Sequence, residues 1–189
     1  SVVRINFSGK KITKNQFDTT WLNEVFSIGH RNPQGLIINK ESNTIWSHEH
    51  GPQGGDEINL LEGGENYGWP KVTHGEEYGG GKIGKLTQKG FKDPKWIWVP
   101  SIAPSGMAFY NGNMFPELND HLLIGSLKFK QIHAIKILNG HPVLERKLLN
   151  KSYGRIRDLE VMNDGSILFI TDEDKSGRYK GGLYKIFKK

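Results

Sequence analysis

The sequence predicts an all-β protein built from repeated antiparallel units. Three observations carry that prediction: short runs alternating apolar and polar residues, 24 glycines beside scarce alanine, and a strand–turn–strand pattern that recurs along the chain. Alternation at period two turns one side of a strand to a core and the other to solvent. Abundant glycine with little alanine favours tight turns over helices. No stretch carries a 3.6-residue apolar period, so almost no helix is expected.

The first repeat joins Gly35-Leu36-Ile37-Ile38-Asn39 to Thr44-Ile45-Trp46-Ser47. The second joins Gly106-Met107-Ala108-Phe109-Tyr110 to Leu122-Leu123-Ile124-Gly125-Ser126. The third joins Asp158-Leu159-Glu160-Val161-Met162 to Ile167-Leu168-Phe169-Ile170-Thr171 across the Asn163-Asp164-Gly165 turn. A further alternating strand recurs over 3–9, 133–140 and 182–187. Four-stranded units of about 40–45 residues are β-propeller blades. Two repeats have that length, and a glycine-rich insert over about 51–95 stretches the first. The expected architecture is a β-propeller represented by about three blades and one leading strand, with 1–189 forming part of a single domain. A β-sandwich has the same strand content, and strands alone do not separate the two.

Composition narrows the function. Without cysteine, disulfides and thiolate metal sites are excluded. No apolar run approaches the roughly 18 residues of a membrane helix. The net charge of +6 is compatible with nucleic-acid binding, but Lys82, Lys85, Lys89, Lys92 and Lys95 are interrupted by glycines and aromatics, so no nucleic-acid partner is expected. The chain opens on an alternating run, Ser1-Val2-Val3-Arg4-Ile5-Asn6-Phe7, and is expected to be a piece of a longer protein.

Three segments are too polar for simple turns: 29–35, 48–59 with 64–70, and the dispersed set Pro100-Ser101, Ser126-Leu127-Lys128 and Arg155-Ile156-Arg157-Asp158. Arg31, Lys128, Arg155 and Arg157 sit at equivalent strand or loop ends, where a radial repeat gathers them at one end of a channel. Converging cations repel in a low-dielectric site, so they imply an anionic guest, and guanidinium suits planar carboxylates. The alternative is local pairing, for instance of Arg157 with Asp158. Asp56 and Glu57 offer hard oxygen ligands suited to Ca²⁺, and the open-turn carbonyls of Gly51 and Pro52 read the same way. His48 and His50 are spaced for one face of a strand, but no third ligand supports a zinc site. Trp96 and Trp98 read as core ahead of a ligand-stacking edge.

The runs GHRNPQG, EHGPQGGDEIN with NYGWP, PSIAPSG, SLK and RIRD, in that order, resemble the soluble quinoprotein glucose and aldose sugar dehydrogenases, the glucose/sorbosone dehydrogenase family. The likeness spans about 28–189 and implies the C-terminal portion of a six-bladed propeller. It implies pyrroloquinoline quinone (PQQ) and Ca²⁺ as cofactors, an aldose substrate oxidised by hydride transfer from its anomeric carbon, an artificial or respiratory electron acceptor, and a periplasmic or secreted location. Arg31 and Asn32 match the pair at the quinone, with Arg31 the catalytic contact. Ser126, Leu127 and Lys128, together with Arg155, Ile156 and Arg157, match further cofactor contacts, as do His50, Tyr78 and Ser101. Gly51 and Pro52 match the calcium ligands at the cofactor, and Asp56, Glu57 and Tyr67 a second calcium site.

The family's general base is a histidine of an early blade, and none of His30, His48, His50, His74, His121, His133 or His141 occupies that motif. The isolated chain is therefore expected to be inactive until a missing N-terminal half, or self-association, completes it. Two other readings stand beside this one. A non-catalytic, calcium-stabilised module binding protein or carbohydrate has no use for the phased cations. A hydrolytic propeller needs acids from several blades, whereas the acids here cluster in one loop.

Overall fold

The computed structural model describes residues 1–11, 17, 20–173 and 177–188. A short ladder pairs β1 (Val2–Val3) with β2 (Val25–Ser27). Three larger antiparallel sheets follow, each running in chain order. The first contains β3 (Pro33–Asn39), β4 (Thr44–Glu49), β5 (Asp56–Leu61) and β6 (Trp96–Trp98). The second contains β7 (Pro104–Tyr110), β8 (His121–Ser126), β9 (Ile132–Leu138) and β10 (His141–Leu148). The third contains β11 (Arg155–Val161), β12 (Ile167–Asp172) and β13 (Gly182–Ile186). The leading strands pack side by side, β3 on β7 and β7 on β11. This is an arc of β-propeller blades.

Two clusters of buried side chains hold the blades together, and the period of two explains how one strand serves both. Leu122 and Ile124 of β8 join Trp46, Ile58 and Trp98 between the first and second sheets. Leu123, between them in sequence, turns the other way and joins Ile156, Leu159 and Phe169 of the third sheet. On β9, Ile135 and Ile137 go to the first cluster and Ile132 and Ala134 to the second. Each such aliphatic side chain stabilises the fold by about 1.5–3 kcal/mol. Gly125 allows β8 to approach β11 closely: a Cβ there would lie 2.9 Å from Ile156 Cγ2 and 2.6 Å from Ser105 Oγ. Among the described residues the only helical element is the 3₁₀ turn Pro116–Leu118.

The strands differ from expectation in several places. The long connection of the first sheet opens after Leu61 instead of at Gly51, because β5 lies within the stretch read as insert. Its residues Asp56 and Asn59 are buried polar groups, so β5 shows no clean alternation. The short β6 likewise closes that sheet, with Trp98 in the core. The strand β10 was not anticipated, its polar-rich sequence matching its largely exposed position. The opening run pairs as a strand only over Val2–Val3, with an isolated bridge from Ile5 to Lys11 beyond it.

Candidate cofactor-binding face

The polar loops gather at one end of the sheets, where β4 finishes and β3 begins. Glu49 closes β4 opposite Pro33 and is buried. Its Oε2 accepts the main-chain N–H groups of Arg31 (2.6 Å) and Asn32 (3.1 Å). Its Oε1 contacts His30 Nδ1 (3.2 Å) and accepts Asn59 Nδ2 (3.1 Å). The other ring nitrogen of His30 lies 2.9 Å from Ser27 Oγ, and the ring stacks on Tyr67. Gly29 permits this turn. Its φ is +75°, and a Cβ would lie 2.1 Å from Asn66 Oδ1 and 2.5 Å from the Gly68 nitrogen. With its backbone held, Arg31 donates through Nη1 to the His50 carbonyl (3.1 Å) and lies over the Trp69 ring.

A second buried carboxylate ties the next loops to this one. Asp56 Oδ1 accepts the Gly51 N–H (3.0 Å). Its Oδ2 accepts the Ser101 hydroxyl (2.6 Å) and the N–H groups of Ile102 (2.8 Å) and Ala103 (2.9 Å). His50 Nε2 donates to the Pro104 carbonyl at 2.7 Å. The Ile102 carbonyl then accepts Ser126 Oγ (2.6 Å) and the Lys128 N–H (3.2 Å), while the Ala103 carbonyl accepts the Leu127 N–H (3.0 Å). Ser105 Oγ donates to the Ile156 carbonyl (2.7 Å) and brings in β11. One hydrogen-bonded chain thus links Arg31, His50, Gly51, Asp56, Ser101, Ser126, Leu127, Lys128 and Ile156.

The cations differ in what faces them. Arg157 forms a two-pronged pair with Asp172, so local pairing holds for this residue, though not with Asp158. Among the described residues, Arg31, Lys128 and Arg155 make no ion pair with a carboxylate, although the Arg155 charge adds to that of Arg157 in holding the Asp172 carboxyl low, and the Arg155 Nε is buried without an acceptor. Cations held this way fit a polycarboxylate guest such as PQQ.

Beside Arg31 lies a cavity of about 10 Å³, lined by Gly51, Glu49, Glu57, Tyr67 and Thr73 among others. That is room for one ion or water. The Glu57 carboxyl is pushed up to about 8, by burial first and then by the charges of Glu49 and Asp56. A cation there would relieve the crowding of acids, so the site fits a single hard cation. Among the described residues no three His, Asp or Glu side chains converge as a metal-holding group. Calcium here would rest on carbonyls with a carboxylate. Asp56 is the less suitable of the two predicted acids, because both its oxygens already accept donors of the chain. The Tyr67 hydroxyl is also engaged: it donates to the Leu60 carbonyl (2.7 Å) and accepts the Glu62 N–H (2.9 Å).

Two predicted residues lie apart from this network. Tyr78 is 74% exposed, on a turn beside Gly79, Gly80 and Gly81. Pro52 is buried next to Gly51 but makes none of the bonds described. Sequence reasoning passed over Glu49 altogether. The signal was available: Ser47, His48 and Glu49 put consecutive polar residues on both faces of a strand, which requires buried partners if the strand is covered on both sides.

The family profile of Glucose / Sorbosone dehydrogenase matches residues 1–184. The chain belongs to the glucose/sorbosone dehydrogenase family. The aldose sugar dehydrogenase YliI of Escherichia coli K12 is 44% identical over 154 residues, covering 79% of this chain and 41% of that protein. A crystal structure of glucose dehydrogenase superposes with a TM-score of 0.90 at 37% identity, over 99% of this chain and 54% of that one. The PQQ-bound aldose sugar dehydrogenase of Streptomyces coelicolor superposes with a TM-score of 0.72 at 25% identity, over 97% of this chain and 50% of that one. The chain spans about half the length of these relatives.

Proposed function

We propose that this chain carries most of the floor of a PQQ- and Ca²⁺-dependent aldose dehydrogenase site, as the C-terminal part of one propeller domain in a periplasmic or secreted enzyme. The observation that carries the reading is the set Arg31, Lys128 and Arg155, which makes no ion pair with a carboxylate on a face knit together by Glu49 and Asp56. PQQ, when bound, would supply the two-electron acceptor for oxidation of the sugar's anomeric carbon, with Ca²⁺ as a Lewis acid beside it.

The chain's own residues would bind and tune. Arg31 and Asn32 would face the quinone oxygens, where the Arg31 guanidinium stabilises negative charge as it develops. Lys128 and Arg155 would hold carboxylates, joined by Arg157 on giving up part of its pairing with Asp172. The sequence Ser126-Leu127 and the Ile156 backbone would shape the floor, with His50 and Ser101 bracing it. Gly51 and Pro52 would offer carbonyls to the calcium at the cofactor, with the Glu57 carboxylate beside them. The hydroxyl proton of the sugar would go to a histidine outside this chain.

Titration with PQQ, with and without Ca²⁺, tests the reading through the quinone absorbance and the thermal midpoint. Saturable, calcium-dependent binding is expected. A chain that is stabilised by Ca²⁺ but blind to PQQ would instead be the calcium-stabilised binding module.

A further inference from the structure

We propose that Glu49 is the positioning residue for the Arg31-Asn32 segment, an inference that rests on the reading of that segment as a cofactor contact. Glu49 is 5% exposed and reaches consecutive main-chain N–H groups, at 2.6 and 3.1 Å, with one oxygen. Consecutive N–H groups turned toward one anion form a nest, and charge-assisted bonds of this kind are about twice as strong as neutral ones. The other oxygen is braced by His30 and Asn59, so the carboxylate has little freedom to follow a shifting loop. The hold is on the backbone alone; the Arg31 side chain is left to donate to the His50 carbonyl and to lie over Trp69. Glu49 therefore sets where the guanidinium sits without occupying any of its donors. It acts through Arg31 and Asn32, and touches no substrate.

The test compares wild type with Glu49→Gln, which keeps the shape but exchanges an acceptor oxygen for an N–H donor. Amide hydrogen exchange in the full chain without added cofactor is read by NMR. Arg31 and Asn32 are expected to lose protection by about tenfold or more, the scale of one charge-assisted bond, while the β8 amides keep theirs. The second readout is the PQQ dissociation constant in a double-mutant cycle. Glu49→Gln is expected to weaken binding about tenfold in wild type and less than about twofold on an Arg31→Ala background. Retained protection at Arg31 and Asn32, equal loss in β8, or an undiminished effect on the Arg31→Ala background would overturn the proposal. If wild type binds no PQQ, the cofactor reading fails and the exchange experiment alone decides whether Glu49 holds the segment. Should the Gln variant not fold, Glu49→Asp, which keeps the charge but withdraws it by one methylene, carries the same comparisons.

Discussion

The Trp98 indole donates to Glu145 Oε1 at 2.8 Å, and the same oxygen lies 2.7 Å from His133 Nδ1. Trp98 belongs to the last strand of the first sheet, while His133 and Glu145 belong to the second, so one carboxylate joins two blades at their outer edge. Removing it leaves the buried Trp98 and His133 nitrogens without their acceptor. Glu145→Ala is expected to lower stability by about 1–3 kcal/mol, read from the urea midpoint. The Glu145 carboxyl is held below its ordinary value of 4.5, by the His133 contact first and with Trp98 adding, against the opposing effect of burial. Its contribution is therefore present above pH 4.5 and lost as pH falls through the lowered folded value. Glu145→Gln should flatten that acid limb; an unchanged limb would remove Glu145 as its source.

His48 gives a second, separate pH dependence. Its ring is fully buried against Gly35, and neither nitrogen has a hydrogen-bond partner of good geometry. Burial, with the charge of His50 adding, pushes it from 6.5 down to about 3. Below pH 6.5 the unfolded chain takes up a proton that the folded chain refuses. Stability should fall as pH drops from 6.5 toward 3, by up to about 1.4 kcal/mol per pH unit from this residue. Urea midpoints of His48→Leu measured across that window should fall less steeply than those of wild type. Parallel curves would show that His48 titrates normally.

How far the sequence reached is explained by what each residue partners. The pairs β3–β4, β7–β8 and β11–β12 were legible because their apolar residues bury against neighbouring sheets at period two. The strand β5 was not, since Asp56 and Asn59 are buried by hydrogen bonds and read as loop. The cations were legible by residue type and phase. Glu49 was hidden between two histidines, because a carboxylate that binds main-chain N–H groups has no fixed spacing to its partners. Asp56 was read as a metal ligand for its chemistry and by resemblance, while both its oxygens accept hydrogen bonds of the chain.

Asp56 consequently carries a structural prediction. Asp56→Asn substitutes a donor for one acceptor oxygen among the N–H and O–H groups of Gly51, Ser101, Ile102 and Ala103. The variant should lose about 3 kcal/mol of stability, the scale of disrupting a buried charged acceptor. Because Gly51 and the 101–103 segment would no longer be drawn together, PQQ affinity should drop with it. A variant as stable as wild type would mean that these donors find water readily and that Asp56 is not the brace.

Glu57 gives the opposite expectation, since its carboxyl is raised by burial and by the neighbouring Glu49 and Asp56, against a smaller lowering from Asn59. A cation that binds the folded chain and not the unfolded one stabilises by mass action, about 2.7 kcal/mol at a hundredfold excess over its dissociation constant. Added Ca²⁺ should therefore raise the thermal midpoint of wild type. Glu57→Gln takes away, at similar volume, the carboxylate that a cation would draw out, and should abolish the rise while itself unfolding no earlier than metal-free wild type, because a carboxyl raised to about 8 is already mostly neutral at pH 7. Mg²⁺, which demands tighter octahedral geometry and sheds water reluctantly, should give a smaller rise. If Glu57→Gln responds to Ca²⁺ as wild type does, the stabilising ion sits elsewhere, with the Gly51 and Pro52 carbonyls the next positions to alter.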